Sequence, residues 1–145
     1  MSKCVFCRIA EKEDNAVVVY DDSSFLAFMD KYPANPGHVL LIPKKHYRGI
    51  TTMPVDEVGR LYSVAAILAR AVKRAIGADG VNLGQSDGRA ASQEIFHAHV
   101  HVLPRFSGDA PAGRWPRRKE IAEGELRRMG ELIRREVQNL PKRLK

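Results

Sequence analysis

The chain has 145 residues, 44% hydrophobic and 28% charged, with a formal net charge of +7. That length suits one domain with a self-sufficient core; no run of about 18 apolar residues exists to span a bilayer, and the N-terminus lacks the basic, apolar and small-residue order of a secretory signal, so a cytoplasmic protein with no membrane partner is expected. The charge attracts anions without choosing among nucleotides, nucleic acids and acidic proteins, and much of it sits in "GRWPRRKE" and "LPKRLK", which read as a solvated basic tail rather than a nucleic-acid surface.

At the N-terminus, "CVFC" places Cys4 and Cys7 too close in sequence to staple distant parts of a fold. A reducing compartment keeps them as thiols. Two cysteines supply half of a tetrahedral zinc set, a weak signal by itself. Residues 16–21, 25–30 and 38–44 ("AVVVYD", "FLAFMD", "HVLLIPK") are short apolar runs separated by Asp22, Ser23, Asn35, Pro36 and Gly37, and they predict antiparallel strands.

From 54 to 76, Val58, Leu61, Ala65, Leu68, Val72 and Ile76 recur at helical intervals and Gly77 closes the run. This predicts an amphipathic helix. A strand at "GVNLGQS", a loop "DGRAASQE" and a strand "IFHAHVHVLP" follow, and residues 119–140 predict a second helix with Leu126, Met129, Ile133, Val137 and Leu140 on one stripe. The order describes an α+β domain, with helices on one face of a mainly antiparallel sheet. No GxGxxG, P-loop or internal repeat is present.

Three of the five histidines, His97, His99 and His101, alternate within that last predicted strand. On an extended strand they share one face, while Ala98, Val100 and Val102 face a core. Such a row suits either a metal or nucleophilic and acid–base chemistry on one substrate, and the pattern alone does not choose. The flanking "GRAASQE" suggests an anion held by backbone N–H groups beside the histidines.

"HAHVHVLPR" is similar to the signature of the histidine triad (HIT) family, and "DKYPANPGHVLLIPKKH" resembles that family's second segment, with a fourth histidine at His38. The likeness runs from "CVFCRI" to "LPRFSGD". It implies a HIT-like α+β fold with a central helix and a C-terminal helix on the sheet. The catalytic domain would span 1–110, with a basic arm and helix, 111–145, packed on it.

By the same resemblance, His99 attacks the α-phosphorus of a nucleotide and is transiently nucleotidylated. Its other nitrogen donates to the carbonyl of His97, and His101 and His38 attend the phosphate oxygens. Gln93, with the backbone of Ser92 and Glu94, corresponds to the anion-holding loop. Asp30 corresponds to the acceptor of the ribose hydroxyls, and Val5, Phe6, Ile9 and Phe28 to the walls around the base. Ser86 stands near the scissile bridge where relatives commonly carry Asn or Gln; Ser92 replaces a frequent Gly, and Lys31 a residue often apolar.

Some HIT proteins hold a structural zinc, and the matching set here is Cys4, Cys7, His46 and His97. The implied activity is hydrolysis or nucleotidyl transfer at the α-phosphate of nucleoside phosphoramidates or dinucleoside polyphosphates. Expected partners are a purine nucleotide such as an AMP derivative and a second copy of the chain in a homodimer; nucleic acid is not expected. The alternative is a nucleotide-binding regulatory module with little turnover.

Overall fold

The computed structural model describes residues 3–141, so residues 142–145 of the basic "LPKRLK" end lie outside the described part. Five strands, β1 (Val18–Asp21), β2 (Phe25–Met29), β3 (Val39–Pro43), β4 (Gly80–Gly84) and β5 (Val100–Arg105), form one sheet in the order β1-β2-β3-β5-β4. Every pairing is antiparallel, as the sequence predicts.

The long central helix, α2 (Val55–Ile76), follows from its apolar stripe, and Leu61, Ala65, Leu68, Ala71 and Val72 are buried. Burying one such leucine contributes about 1.5–3 kcal/mol. Asp56 and Glu57 occupy its first turn and Lys73 and Arg74 its last, each complementing the helix dipole. Gly77 ends it in the left-handed region at φ 70°, with its N–H on the Lys73 carbonyl.

Helix α2 and the C-terminal helix α3 (Glu123–Asn139) share one face of the sheet, where they meet Ala98, Val100 and Val102 in one core. A short helix not foreseen in the sequence, α1 (Val5–Ala10), covers the other face, where Phe6 and Ile9 pack on Leu26, Phe28, Leu40 and Ile42. Covering on both sides explains why β2 and β3 are buried at every position and read as continuous apolar runs.

Two predicted boundaries move. The strand expected from residue 95 begins only at Val100, because the Ala98 N–H turns to the Tyr47 carbonyl at 2.7 Å and leaves the ladder. The helix expected from residue 119 begins at Glu123, because the Lys119 N–H donates to the Pro33 carbonyl at 2.9 Å. The intervening arm is thereby held extended against the loop after β2.

Register supplies a row that crosses the whole sheet. Val18 pairs with Phe28, Phe28 with Leu40, Leu40 with His101, and His101 with Gly84. The row runs on the α1 face from an apolar wall, through a histidine, to a glycine at the far edge. A Cβ at Gly84 would stand 2.7 Å from two ring carbons of Trp115, so the missing side chain is what admits that indole.

Candidate active site

The three alternating histidines lie on the α1 face, as their spacing predicts. Phe6 of α1 sits edge-on to His97 and His99 at ring-centroid distances of 5.9 and 5.3 Å, and His99 to His101 is 5.1 Å. Each ring is anchored by a group that determines its proton.

His97 Nε2 lies 2.8 Å from the Pro43 carbonyl and His99 Nδ1 2.8 Å from the His97 carbonyl. A carbonyl only accepts, so both of those nitrogens carry hydrogen. His97 Nδ1 and His99 Nε2 therefore keep their lone pairs. Opposite them, the Ala34 N–H donates to His38 Nδ1 at 3.1 Å, which leaves the His38 proton on Nε2, 2.9 Å from His101 Nδ1. His101 accepts there and carries its own proton on Nε2.

These assignments require neutral rings, and burial supplies that condition. It pushes His38 and His97 down to about 4 and His101 down to about 3. His99 is lowered by the same cause, opposed by its bond to the His97 carbonyl. The site thus offers a lone pair on His99 Nε2 beside a donor on His101 Nε2. That is a nucleophile and a proton donor on adjacent same-face residues.

A cleft of about 1390 Å³ opens over this pair. Val5, Phe6, Ile9 and Phe28 form its apolar wall, and Asp30, Ser92, Glu94, His99 and His101 also line it. Ser86 and Gln93 do not line it. The Gln93 amide is turned to its own loop, where Nε2 donates to the Arg48 and Ile95 carbonyls and Oε1 accepts from the Gly88 N–H. Gln93 is 4% exposed and shapes the loop. Ser92 adopts φ 74°, the left-handed conformation that accounts for a glycine being frequent there. His38 and His97, 1% and 0% exposed, stand behind His101 and His99 and orient them through the His38 ring and the His97 carbonyl.

Sequence reasoning missed what the arm does. Arg118 Nη1 lies 2.7 Å from Asp30 Oδ2, and the Trp115 ring stands edge-on to His101 at 5.5 Å and His38 at 6.3 Å. Both belong to the basic stretch that reads as a solvated tail. The only signal available was the tryptophan among its charges.

A second cluster lies behind His99. Cys4 caps α1 with its sulfur accepting from the Cys7 N–H, so one helical turn brings both thiols to one side. The sulfurs are 3.3 Å apart, the His46 and His97 Nδ1 atoms 3.1 Å apart, and the four sulfur–nitrogen distances lie between 3.3 and 3.6 Å. A tetrahedral zinc with these donors requires edges of about 3.8, 3.4 and 3.6 Å for the three kinds of pair. The four donors form that figure slightly contracted, and they fit the metal. His97 turns a lone pair to the cluster because its other nitrogen is bound to Pro43, the usual arrangement behind a metal-bound imidazole.

Comparison with known proteins follows the same lines. The HIT domain family matches residues 11–108. A histidine triad nucleotide-binding protein of Sulfolobus tokodaii superposes with a TM-score of 0.86 at 37% identity, covering 94% of this chain and 93% of that one. A zinc-bound histidine triad protein of Mycobacterium smegmatis superposes at 0.83 and 35% identity, covering 94% of each chain. An adenylylsulfatase of Arabidopsis thaliana is 38% identical over 106 residues, which are 73% of this chain and 54% of that protein.

Proposed function

The chain belongs to the HIT domain family, and from that membership we propose that it is a nucleotide hydrolase or nucleotidyl transferase acting through a nucleotide carried on His99. The observation that carries this reading is the hydrogen bond from His99 Nδ1 to the His97 carbonyl, which leaves Nε2 with a lone pair at the cleft. That nitrogen attacks the α-phosphorus, a P–N bond forms, and the bond to the leaving group breaks. Water then attacks the same phosphorus, the P–N bond breaks, the ring recovers its lone pair, and the proton lost by the water replaces the one that His101 gives to an amine leaving group.

His101 donates from Nε2 to the phosphate or to the departing atom, and His38 keeps that proton in place by donating to the opposite side of the ring. The base lies against Phe6 and Phe28, and Asp30 accepts from the ribose. Nucleoside phosphoramidates and dinucleoside polyphosphates are the substrate classes, and adenylyl sulfate joins them because a relative is an adenylylsulfatase.

Cys4, Cys7, His46 and His97 would hold a structural zinc, which would tie α1 to the segment that leads into β5 and bears His99, and would leave no open coordination position for catalysis. A homodimer would use the outer edge of β4, which among the described residues pairs only with β5. Gln85 Nε2, just beyond that strand, is buried without a hydrogen-bond partner. A panel of adenosine phosphoramidates, dinucleoside polyphosphates and adenylyl sulfate, assayed with wild type and His99→Ala, tests the reading. A wild type that turns over none of them faster than the variant contradicts it.

A further inference from the structure

The C-terminal arm does more than cover the site. We propose that Arg118 is a positioning residue for ribose recognition, holding Asp30 so that the cleft prefers nucleotides that carry both ribose hydroxyls. The proposal rests on the nucleotide reading above and adds a residue to it.

Asp30 follows β2 and is 6% exposed. Its Oδ1 accepts from the Tyr32 N–H at 2.9 Å and its Oδ2 from Arg118 Nη1 at 2.7 Å. The same Nη1 donates to the Tyr32 carbonyl at 2.9 Å. One nitrogen of the arm therefore grips both ends of the turn that carries the carboxylate. The next residue repeats the hold, since the Lys119 N–H donates to the Pro33 carbonyl at 2.9 Å and its Nζ to Ala34 at 3.4 Å.

Charge makes Arg118 more than a brace. A buried carboxylate without a cation is costly, and the other nearby candidate is His38, whose Nδ1 lies 3.7 Å from Asp30 Oδ2. That nitrogen already accepts from the Ala34 N–H, so it holds no proton and brings no charge. Among the described residues, Arg118 is the cation paired with Asp30.

Capacity remains for a ligand. An ionised carboxylate has about four acceptor positions, and the Tyr32 and Arg118 bonds leave room for the hydroxyls of a ribose. Arg118 and Asp30 line the cleft together. Fixing the oxygens in advance removes the cost of orienting them when the ligand arrives, and that benefit reaches only a ligand with hydroxyls to donate.

Calorimetric titration of AMP, 2′-deoxy-AMP and 3′-deoxy-AMP into wild type, Arg118→Ala, Arg118→Lys and Asp30→Ala tests this, with a thermal melt of each variant to verify folding. Wild type should bind AMP about tenfold more tightly than either deoxy form, as expected for a hydrogen bond to a charged group. Arg118→Ala should weaken AMP about fivefold and each deoxy form, which keeps one hydroxyl, about twofold, and so narrow the preference to about fourfold. Arg118→Lys should restore most of it, because a single nitrogen makes both bonds. A merely structural role would weaken all three ligands alike.

Retention of the full preference in Arg118→Ala, with its loss in Asp30→Ala, overturns the role of Arg118 and leaves Asp30 as the ribose contact. Equal affinity of wild type for all three ligands overturns both roles. Failure of wild type to bind AMP at millimolar concentration overturns the nucleotide reading with them.

Discussion

His38 Nε2 stands 2.9 Å from His101 Nδ1, and the Ala34 N–H on the far side of His38 determines the direction of that bond. His101 is consequently a donor at the cleft. Its value depends on what leaves. An amine needs a proton to depart and a sulfate does not, so His101→Asn should slow hydrolysis of an adenosine phosphoramidate by about 10²-fold or more and hydrolysis of adenylyl sulfate much less. Single-turnover rates on the two substrates measure the difference, and equal losses would remove the proton-donor role.

The near-regular tetrahedron of Cys4, Cys7, His46 and His97 predicts about one zinc per chain in protein purified without added metal. Binding should release protons, because burial and the neighbouring Cys4 raise the Cys7 thiol to about 11 and the metal takes thiolate. Cys4→Ala should lose the metal and melt at a lower temperature. Elemental analysis of both proteins decides this, and a zinc content near zero in wild type would contradict it.

Acid should destabilise the fold in a defined window. His38 and His101 titrate near 6.5 when unfolded and are depressed by burial to about 4 and about 3 in the fold. The unfolded chain therefore binds more protons below pH 6.5. Stability is complete above that value and falls as pH drops toward 4, by at most about 1.4 kcal/mol per pH unit for each group. Urea midpoints at pH 7, 6 and 5 should decline in wild type and decline less in His101→Asn. A midpoint independent of pH would contradict the buried, neutral rings.

Ser92 carries a side chain in the left-handed region at φ 74°, a strain of about 1 kcal/mol. Ser92→Gly should relieve it and raise the urea midpoint slightly, and Ser92→Val should lower it by about 1 kcal/mol or more, since a branched Cβ suits that conformation least. The same pair of variants separates strain from hydrogen bonding, because neither retains the hydroxyl.

Much of this site was legible in the sequence. Period-two spacing placed His97, His99 and His101 on one face and Ala98, Val100 and Val102 in the core, and the apolar stripe with Gly77 marked α2 almost to the residue. Helix α1 was not legible, since six residues make fewer than two turns and leave no period to detect. The His99 proton follows from the resemblance, but those of His97, His38 and His101 were hidden because they depend on backbone atoms of Pro43 and Ala34, whose distances only the fold determines. Arg118 was misread because a run of arginines looks the same whether it faces solvent or folds back on a carboxylate 88 residues away.

The central claim is that the free nitrogen of His99 becomes bonded to phosphorus during turnover. Rapid quenching of wild type with adenosine substrate labelled at the α-phosphorus, followed by mapping of the label, tests it most directly. The account predicts an acid-labile adenylyl group on the peptide containing His99, formed no more slowly than product appears and missing from His99→Ala. Steady product release with no label on that peptide at any quench time would contradict it.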